Sequence, residues 1–380
     1  MSDTKKIYRI AVDLFDISNR NVGLGEFTYQ LGAGLAARAD ALRRDYGVEF
    51  YFIVPASMKG VFGPSVRYLG MTRLNRRLLR FYPLHFDLLH ISHQHSRLKR
   101  IYSAEERLLT VHDINFVYEK SGERQNRYAE NFRRRLKGAD YLSFISFFSQ
   151  ADVLGRFGVN HPHRVIYNGV TDLALGPTER PATRLPEGFL LHISSLQPKK
   201  NPHLLVEMMR YLPQYHLVVV GNWESDYGRR MRRRISDLEL RNVTPLNHVS
   251  EREKAWLFAH CRAFLFPSLC EGFGLPPMEA LCFGKPVFLS SLTSLPEVGG
   301  SVAYYWDDLS PEAMADRVKR GLEDAAADLT LGRRAMEWVS QFSWERCIDG
   351  YVECYLDLLH VERTSSEGVA ASAEPQPAGA

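Results

Sequence analysis

Short runs of apolar and often β-branched residues alternate along the chain with longer segments of helical period. In the first half, these runs predict strands at residues 8–15, 48–55, 87–92, 107–114, 140–146 and 164–170. In the second half, they predict strands at residues 189–195, 216–222, 243–249, 263–268, 286–290 and 303–306. Nearly continuous apolar runs with helix-length spacers are typical of parallel sheets covered by helices on both faces. The pattern therefore predicts an α/β chain with doubly wound sheets.

The pattern divides in the middle, at residues 173–187, which are rich in Pro and Thr and have no periodicity. Such a segment is typical of a linker. We therefore predict two Rossmann-like domains, at residues 1–172 and 188–345, that face each other across a cleft. Ligands of such sheets bind beyond the carboxyl ends of the strands. Residues 346–361 predict a helix that packs back toward the first domain, and residues 362–380 predict a disordered tail.

Composition excludes several classes of protein. The 380 residues are 45% hydrophobic and 24% charged, as in globular proteins with sizeable cores. No apolar run reaches the roughly 18 residues of a membrane span, and the N-terminus leads into a strand rather than a signal peptide. A net charge of +4 is small for a nucleic-acid binder, so no nucleic-acid partner is expected. The five cysteines are never spaced as CxxC, which argues against zinc and disulfides and favours a cytoplasmic protein.

The stretch SLCEGFGLPPMEALCFGKPVF, residues 268–288, carries the strongest chemical signal. It predicts a loop from a strand into a helix that begins at Pro276 and Pro277. The free N–H groups at such a helix start suit a phosphate, and Gly274 would let the backbone come close. Glu279, in the predicted first turn, could accept two ribose hydroxyls, while Glu271 lies one loop earlier. The alternative is that Glu279 only complements the helix dipole and Glu271 caps a turn.

A second loop of the same half carries two adjacent lysines. Lys199 and Lys200 follow a predicted strand and precede the helix that Pro202 opens. A lysine at this position could neutralise the diphosphate of a leaving group. The alternative is a pair of solvated surface lysines without a function.

These two motifs, together with VIYNGV (165–170) and HVSEREKAWLFAHC (248–261), resemble the retaining GT-B glycosyltransferases of glycosyltransferase family 4. The resemblance extends over about residues 8–358, and the two glutamates, eight positions apart, match the EX7E motif of that family. It implies that Glu271 lies beside the donor sugar, Glu279 binds the nucleotide ribose and Lys200 contacts the diphosphate. It also implies that three N–H groups border the sugar and phosphate: those of Phe273, Gly274 and Leu275.

One departure from the family concerns the loop before the lysines. Members often carry an arginine there, whereas this chain has Ser194 and Ser195. Lys199, the serine hydroxyls or the helix dipole would then share in binding the diphosphate.

In the first half, two pairs of residues follow predicted strands. Gly23 and Gly25 predict a tight loop before a helix, and the lack of a third glycine argues against a dinucleotide-binding fingerprint. His112 and Asp113 end a strand, where Asp113 could simply cap a turn. The resemblance implies that the two glycines approach the diphosphate and that His112 contacts the reacting sugar. It places Asp113 in the acceptor cleft.

The segment 85–95 contains four histidines, at positions 85, 90, 93 and 95. Zinc needs three or four converging ligands, but the strand pleat sends His90 to the face opposite the last two. We therefore predict no metal site. The resemblance places His90 in the lining of the acceptor cleft.

Residues 72–81 predict a helix with arginines on one face and apolar residues on the other. Such a face can dock on anionic lipid, and arginines 133–135 could extend it. The alternative is an ordinary solvated helix face. We interpret the arginine-rich run 229–234 as a solvated face.

The residues and the resemblance together predict a metal-independent retaining hexosyltransferase without a cofactor. The predicted donor is GDP-mannose, and the predicted acceptor is a glycan or lipid-linked saccharide in polysaccharide or lipopolysaccharide biosynthesis. The alternatives are a UDP-sugar donor (glucose or N-acetylglucosamine), a GT-B nucleotide-sugar epimerase, and an inactive nucleotide-sugar-binding protein.

Overall fold

The computed structural model describes residues 6–18, 23–72, 85–96, 98 and 104–362. The chain divides into two compact units. Of the described residues, the first unit contains those up to Gly169 together with residues 342–362, and the second is Val170–Gln341. Each unit is built on one sheet whose paired strands are all parallel. The predicted fold class, two Rossmann-like α/β domains, is confirmed.

The described strands of the first unit are β1 (Tyr8–Asp13), β2 (Val48–Pro55), β3 (Arg67–Met71), β4 (Phe86–Ile91), β5 (Ala104–Val111), β6 (Tyr141–Phe144) and β7 (His163–Val165). Its helices before the second unit are α1 (Gly23–Tyr46), α2 (Phe116–Glu119), α3 (Gly122–Leu136) and α4 (Phe147–Phe157).

The second unit contains strands β8 (Leu190–Ile193), β9 (Leu217–Val220), β10 (Val243–Leu246), β11 (Ala263–Phe266), β12 (Val287–Ser290) and β13 (Tyr304–Trp306). Its helices are α5 (Pro202–Met208), α6 (Asp226–Asp237), α7 (Glu251–His260), α8 (Leu275–Cys282), α9 (Leu295–Gly299), α10 (Pro311–Ala327) and α11 (Leu331–Ser340). The chain then returns to the first unit as α12 (Trp344–Leu358).

Both sheets reverse their strand order beside their first strand. The first sheet runs β3-β2-β1-β4-β5-β6-β7, and the second runs β10-β9-β8-β11-β12-β13. The reversal lies between β1 and β4 in the first sheet and between β8 and β11 in the second. At such a switch point the loops leave neighbouring strands in opposite directions and open a crevice that binds ligands.

Strand β3 is the element that the apolar pattern does not predict. It lies at the edge of the first sheet and pairs with β2 alone. Its first residue, Arg67, is exposed, and Gly70 interrupts its apolar residues. An edge strand with one open side needs fewer apolar residues than a central one, so its sequence signal is weak.

The unit boundaries differ from the predicted linker. The structure divides the chain after Gly169, and residues 173–187 belong to the second unit. A short 3-10 turn, Leu173–Leu175, contacts α7 and α8 there. The Glu179 N–H donates to the Arg252 carbonyl at 3.1 Å. A segment rich in Pro and Thr can lack periodicity and still be packed.

Helix α12 lies in the first unit, against α1. Ile348, Tyr351 and Tyr355 are at most 2% exposed and share one core cluster with the apolar face of α1. A Cβ added at Gly34 of α1 would lie 2.5 Å from Cγ1 of Ile348, so the two helices approach closely only because this residue is a glycine.

A buried polar network anchors α12 to the sheet. His90 on β4 is 0% exposed, with Nδ1 2.6 Å from the Tyr355 hydroxyl and Nε2 2.8 Å from the Thr110 hydroxyl. Burial, with the nearby His112, lowers the pKa of His90 to about 3, so its ring is neutral. The prediction that His90 lines the acceptor cleft is therefore wrong, because α12 covers its face of the sheet.

Two predicted segments lie outside the described residues: residues 73–81 of the basic face and residues 363–380 of the tail. Across the part of the chain that is described, no helix is both long and apolar enough to cross a membrane.

We expect Tyr355→Phe to lower the free energy of unfolding by about 1–3 kcal/mol, because Nδ1 of His90 would be left buried without a partner. Urea denaturation measures this change. Tyr211→Phe is the matched control: Tyr211 is 37% exposed, and its hydroxyl should contribute less than about 0.5 kcal/mol. Equal unfolding midpoints for wild type and Tyr355→Phe would contradict an anchoring role for the network.

Candidate active site

The loop between β11 and α8 is built as its sequence suggests. Gly274 precedes α8 with φ of +107°, a conformation that favours glycine, and Pro276 and Pro277 occupy the first turn. The helix begins one residue earlier than predicted, at Leu275. Glu279 is therefore its fifth residue rather than part of its first turn. The other predicted member of this loop, Phe273, is 3% exposed.

Lys200 and Glu271 form an ion pair at the switch point of the second sheet. Lys200 follows β8 and Glu271 follows β11, and these strands are neighbours. Nζ of Lys200 lies 2.5 Å from Oε1 of Glu271, and the two side chains are 16% and 9% exposed. The Ser268 hydroxyl donates to the same oxygen at 2.6 Å, and Nζ lies 5.3 Å from the centre of the Phe266 ring. A lysine and a carboxylate that the sequence places 71 residues apart thus meet in one shielded position.

Glu279 has a partner that the sequence reasoning missed. Nζ of Lys254, on α7, lies 2.7 Å from Oε1 of Glu279, and the two side chains are 17% and 13% exposed. Glu251 lies 3.5 Å from the same ammonium group. Burial opposes the charge on Lys254, but the carboxylates of Glu279 and Glu251 outweigh it and raise the pKa of Lys254.

A sequence signal for Lys254 was present. Ser250 and Glu253 form a capping box at the start of α7, as the spacing S-x-x-E indicates. The helix start fixes which positions face inward, and Lys254 directly precedes the buried Ala255. A lysine beside the buried face of a helix is a candidate for an internal ion pair.

The serines that replace the family arginine have different surroundings. His192 Nδ1 lies 2.8 Å from the Leu265 carbonyl, which can only accept, so Nε2 is the nitrogen that accepts from the Ser194 hydroxyl at 2.8 Å. Burial lowers the pKa of His192 to about 4, although the Leu265 carbonyl opposes this shift. The hydroxyl of Ser194 is thus directed into the sheet, whereas Ser195 is exposed.

Lys199 is half-buried, and its backbone links the two loops of the site. Its carbonyl accepts the Leu269 N–H at 2.7 Å. The loop after β8 is therefore tied to the loop after β11 beside the ion pair.

In the first unit, His112 is held firmly at the end of β5. Its backbone N–H donates to Gln94 Oε1 at 3.0 Å, and its carbonyl accepts the Ser149 hydroxyl at 2.9 Å. Nε2 lies 3.0 Å from the Ser92 carbonyl and so carries the proton, which leaves Nδ1 as an acceptor. The ring packs edge-on against Phe27 with centroids 4.6 Å apart. Burial, assisted by the nearby His93, lowers the pKa of His112 to about 3.

Asp113, Gly23 and Gly25, the remaining predicted residues of the first unit, lie in a turn and in a helix. Oδ1 of Asp113 accepts the Asn115 N–H at 3.0 Å, as in a turn cap. Gly23 and Gly25 lie in the first turn of α1 rather than in a loop before it. The prediction of a tight loop formed by these two glycines is therefore wrong.

The other histidines of the segment 85–95 do not converge. His85 pairs with Glu105 at 3.1 Å on the surface. His93 is 3% exposed and donates from Nε2 to Asp16 at 2.7 Å, because its Nδ1 accepts the His95 N–H. Among the described residues, no group of three or more His, Cys, Asp or Glu side chains is placed so that it could hold a metal ion.

Of the three arginines proposed to extend the basic face, one is turned inward. Arg135 donates to the backbone carbonyl of Ser96. Arg133 and Arg134 are exposed, and Arg134 pairs with Glu130 at 3.2 Å.

Comparison with known proteins shows which proteins this chain is similar to. Residues 178–338 match the family model described as "Glycosyl transferases group 1". The chain is 29% identical over 271 residues to O-antigen chain mannosyltransferase B of Escherichia coli, covering 66% of this chain and 70% of the relative. It is 28% identical over 201 residues to O-antigen chain mannosyltransferase RfbU of Salmonella typhimurium, covering 52% and 55%. The chain spans only 24% of a further relative, the mannosyltransferase WbdA of Escherichia coli.

Solved structures share the fold across both units. A sucrose-phosphate synthase of Thermosynechococcus elongatus superposes with a TM-score of 0.71 at 21% identity, covering 93% of this chain and 99% of that one. HepE of Anabaena, crystallised with UDP and glucose, superposes with a TM-score of 0.70 at 20% identity, covering 92% and 100%. The second unit therefore contains a glycosyl transferases group 1 domain, and the chain is a glycosyltransferase of the GT-B fold.

Proposed function

We propose that this glycosyltransferase transfers mannose from GDP-mannose to a glycan or lipid-linked acceptor, with retention of the α configuration. The observation that carries the proposal is the shielded Lys200–Glu271 ion pair beside the start of α8. Two of the relatives are named as mannosyltransferases of the O-antigen chain, which supports mannose and surface-polysaccharide synthesis. HepE, crystallised with UDP and glucose, favours a UDP-sugar as the second candidate donor.

The ion pair suggests how the donor enters. The diphosphate competes with Glu271 for the Lys200 ammonium group, and the N-terminus of α8 offers further N–H groups to the phosphate. As the bond from the anomeric carbon to the phosphate oxygen breaks, negative charge grows on the β-phosphate, which Lys200 stabilises. Glu271 keeps its hydrogen bond from Ser268 and can then accept hydrogen bonds from the hydroxyls of the donor sugar.

We propose a front-face route for the transfer itself. The acceptor oxygen forms its bond to the anomeric carbon on the side from which the phosphate leaves. The proton of the acceptor hydroxyl passes to a phosphate oxygen, so no protein nucleophile is needed. This step needs neither a metal ion nor a cofactor, and the group transferred is the hexose alone.

Glu279 and His112 receive binding roles in this proposal. The carboxylate of Glu279 accepts hydrogen bonds from the two ribose hydroxyls, and Lys254 orients it. His112 is neutral and has Nδ1 as its acceptor nitrogen, so it can accept a hydrogen bond from a sugar hydroxyl but cannot act as an acid near neutral pH. We also propose that the protein is cytoplasmic and associates peripherally with an anionic membrane, where a lipid-linked acceptor resides.

The function is tested with a panel of nucleotides and a transfer assay. We expect GDP to raise the melting temperature more than UDP does, because the nucleotide of the proposed donor should bind more tightly. A ligand at 100 times its Kd stabilises the folded protein by about 2.7 kcal/mol. Transfer from GDP-mannose should persist in EDTA, and proton NMR should show an α-anomeric product. Stabilisation by UDP but not by GDP would mean that the donor is a UDP-sugar rather than GDP-mannose. A β product or a strict Mg²⁺ requirement would overturn the mechanism.

Lys200→Ala should lower kcat by about 10²–10³ fold, the usual effect of removing one preorganised group at a developing oxyanion. Its effect on donor affinity should be smaller, because the charge that it stabilises is greatest in the transition state. Steady-state kinetics and calorimetry separate the two effects. Lys319→Ala is the matched control, since this lysine lies on α10 and pairs with Asp316. The role is rejected if donor affinity and kcat fall equally, or if kcat does not change.

Glu279→Gln should weaken binding of GDP by about 1.5–3 kcal/mol, because the ribose hydroxyls lose a charged acceptor. Lys254→Met should weaken it in the same direction, since Glu279 would lose its counter-charge. Glu251→Gln is the matched control, because Glu251 is 68% exposed and lies farther from Lys254. Calorimetry measures all three affinities. Unchanged affinity in Glu279→Gln would exclude the ribose contact.

A further inference from the structure

The segment Ser291–Ser294, which follows β12, holds the backbone of Glu271 at both of its polar groups. The Thr293 hydroxyl accepts the Glu271 N–H at 3.1 Å. The Ser294 hydroxyl, which is 0% exposed, lies 3.1 Å from the Glu271 carbonyl and 3.2 Å from the Phe273 carbonyl. Two consecutive side chains from a neighbouring loop thus fix the peptide groups around Glu271.

Thr293 adopts a backbone conformation that is unfavourable for its residue type. Its φ is +56°, in the left-handed region. A β-branched residue is a genuine outlier there, because its side chain is crowded against the backbone. Glycine would occupy the position without this strain, but glycine has no hydroxyl to offer the Glu271 N–H.

Positive φ values at residues other than glycine are concentrated near the candidate site. Among the described residues, five that are not glycine have positive φ. Leu196 and Asn201 lie in the loop that carries Lys200, and Thr293 contacts Glu271. The other two, Glu239 and His360, come soon after helices α6 and α12 end. Strained residues persist where the surrounding structure holds them, and they cluster at functional sites.

We infer that Thr293 is a positioning residue for Glu271: its hydroxyl holds the Glu271 amide in the orientation that directs the carboxylate toward Lys200. This inference rests on the proposed function. When the donor diphosphate draws Lys200 away, the Glu271 side chain keeps only Ser268 of its two described partners. The backbone anchor at Thr293 then matters most in the donor-bound state, so its loss affects turnover more than nucleotide binding.

Three variants at position 293 separate the hydroxyl from the strain. Thr293→Val keeps the branched side chain and removes the hydroxyl, Thr293→Ser keeps the hydroxyl, and Thr293→Gly removes both the hydroxyl and the strain. Glu239→Gly is the matched control, because Glu239 also has positive φ (+52°) but lies just beyond α6. Each variant is assayed for kcat, for affinity toward GDP (or UDP, if the nucleotide panel selects it) and for melting temperature.

We expect Thr293→Val to lower kcat by about 10–100 fold, the usual effect of a small misplacement in an active site, with nucleotide Kd changed less than about 2-fold. Thr293→Ser should recover most of this kcat. Thr293→Gly should have a low kcat without a lower melting temperature, whereas Glu239→Gly should keep the kcat of wild type. Wild-type kcat in Thr293→Val, or a low kcat in Thr293→Ser, overturns the inference. So does a loss of kcat that only accompanies a loss of melting temperature.

A measurement without turnover keeps this test separate from that of the proposed function. Amide hydrogen exchange at residue 271, followed by NMR, should be faster in Thr293→Val and Thr293→Gly than in wild type and Thr293→Ser. Equal exchange in all four proteins would overturn the positioning role even if the enzyme is active. Absence of hexose transfer by wild type, with the expected exchange pattern, would instead reject the proposed function and retain the contact.

Discussion

The ion pair between Lys200 and Glu271 is the interaction on which the arrangement of the second unit's loops depends. Two charges that are 16% and 9% exposed are costly to remove from water unless their geometry is good and further hydrogen bonds help. The sheet meets this condition because β8 and β11 are neighbours, and Ser268 supplies the second donor. A different strand order would separate the two loops. The strand order of the sheet is therefore what allows Lys200 and Glu271 to form their ion pair.

Most of the strands could be predicted from the sequence for physical reasons, and the sequence motifs singled out Lys200 and Glu271 separately. Strands buried on both faces must be apolar along their whole length, so the central strands are visible as runs, whereas β3 at the edge is not. The glycine and prolines around α8 are fixed by backbone geometry, and the sequence shows them directly. The pairing of Lys200 with Glu271 follows once β8 and β11 are known to be neighbours, which periodicity alone does not reveal.

The two main errors come from contacts between elements far apart in sequence. The sequence places His90 on a strand, but whether its face of the sheet is open depends on α12, which supplies Tyr355 from 265 residues away. Lys254 was missed for the related reason that its partner Glu279 lies on another helix. A local pattern predicts which way a side chain points, whereas its role depends on what the tertiary fold places opposite it.

Three buried histidines affect how the stability of the protein depends on pH, but they carry no charge near neutral pH. His90, His112 and His192 have pKa values lowered from 6.5 to about 3, 3 and 4, chiefly by burial. Below the unfolded value of 6.5 the unfolded chain binds protons that these folded rings do not, so each ring removes stability as the pH falls toward its folded pKa. None of the three changes charge near neutral pH. The electrostatics of the candidate site there come instead from two lysine–glutamate pairs. The loops after β8 and β11 hold Lys200 and Glu271, and helices α7 and α8 hold Lys254 and Glu279.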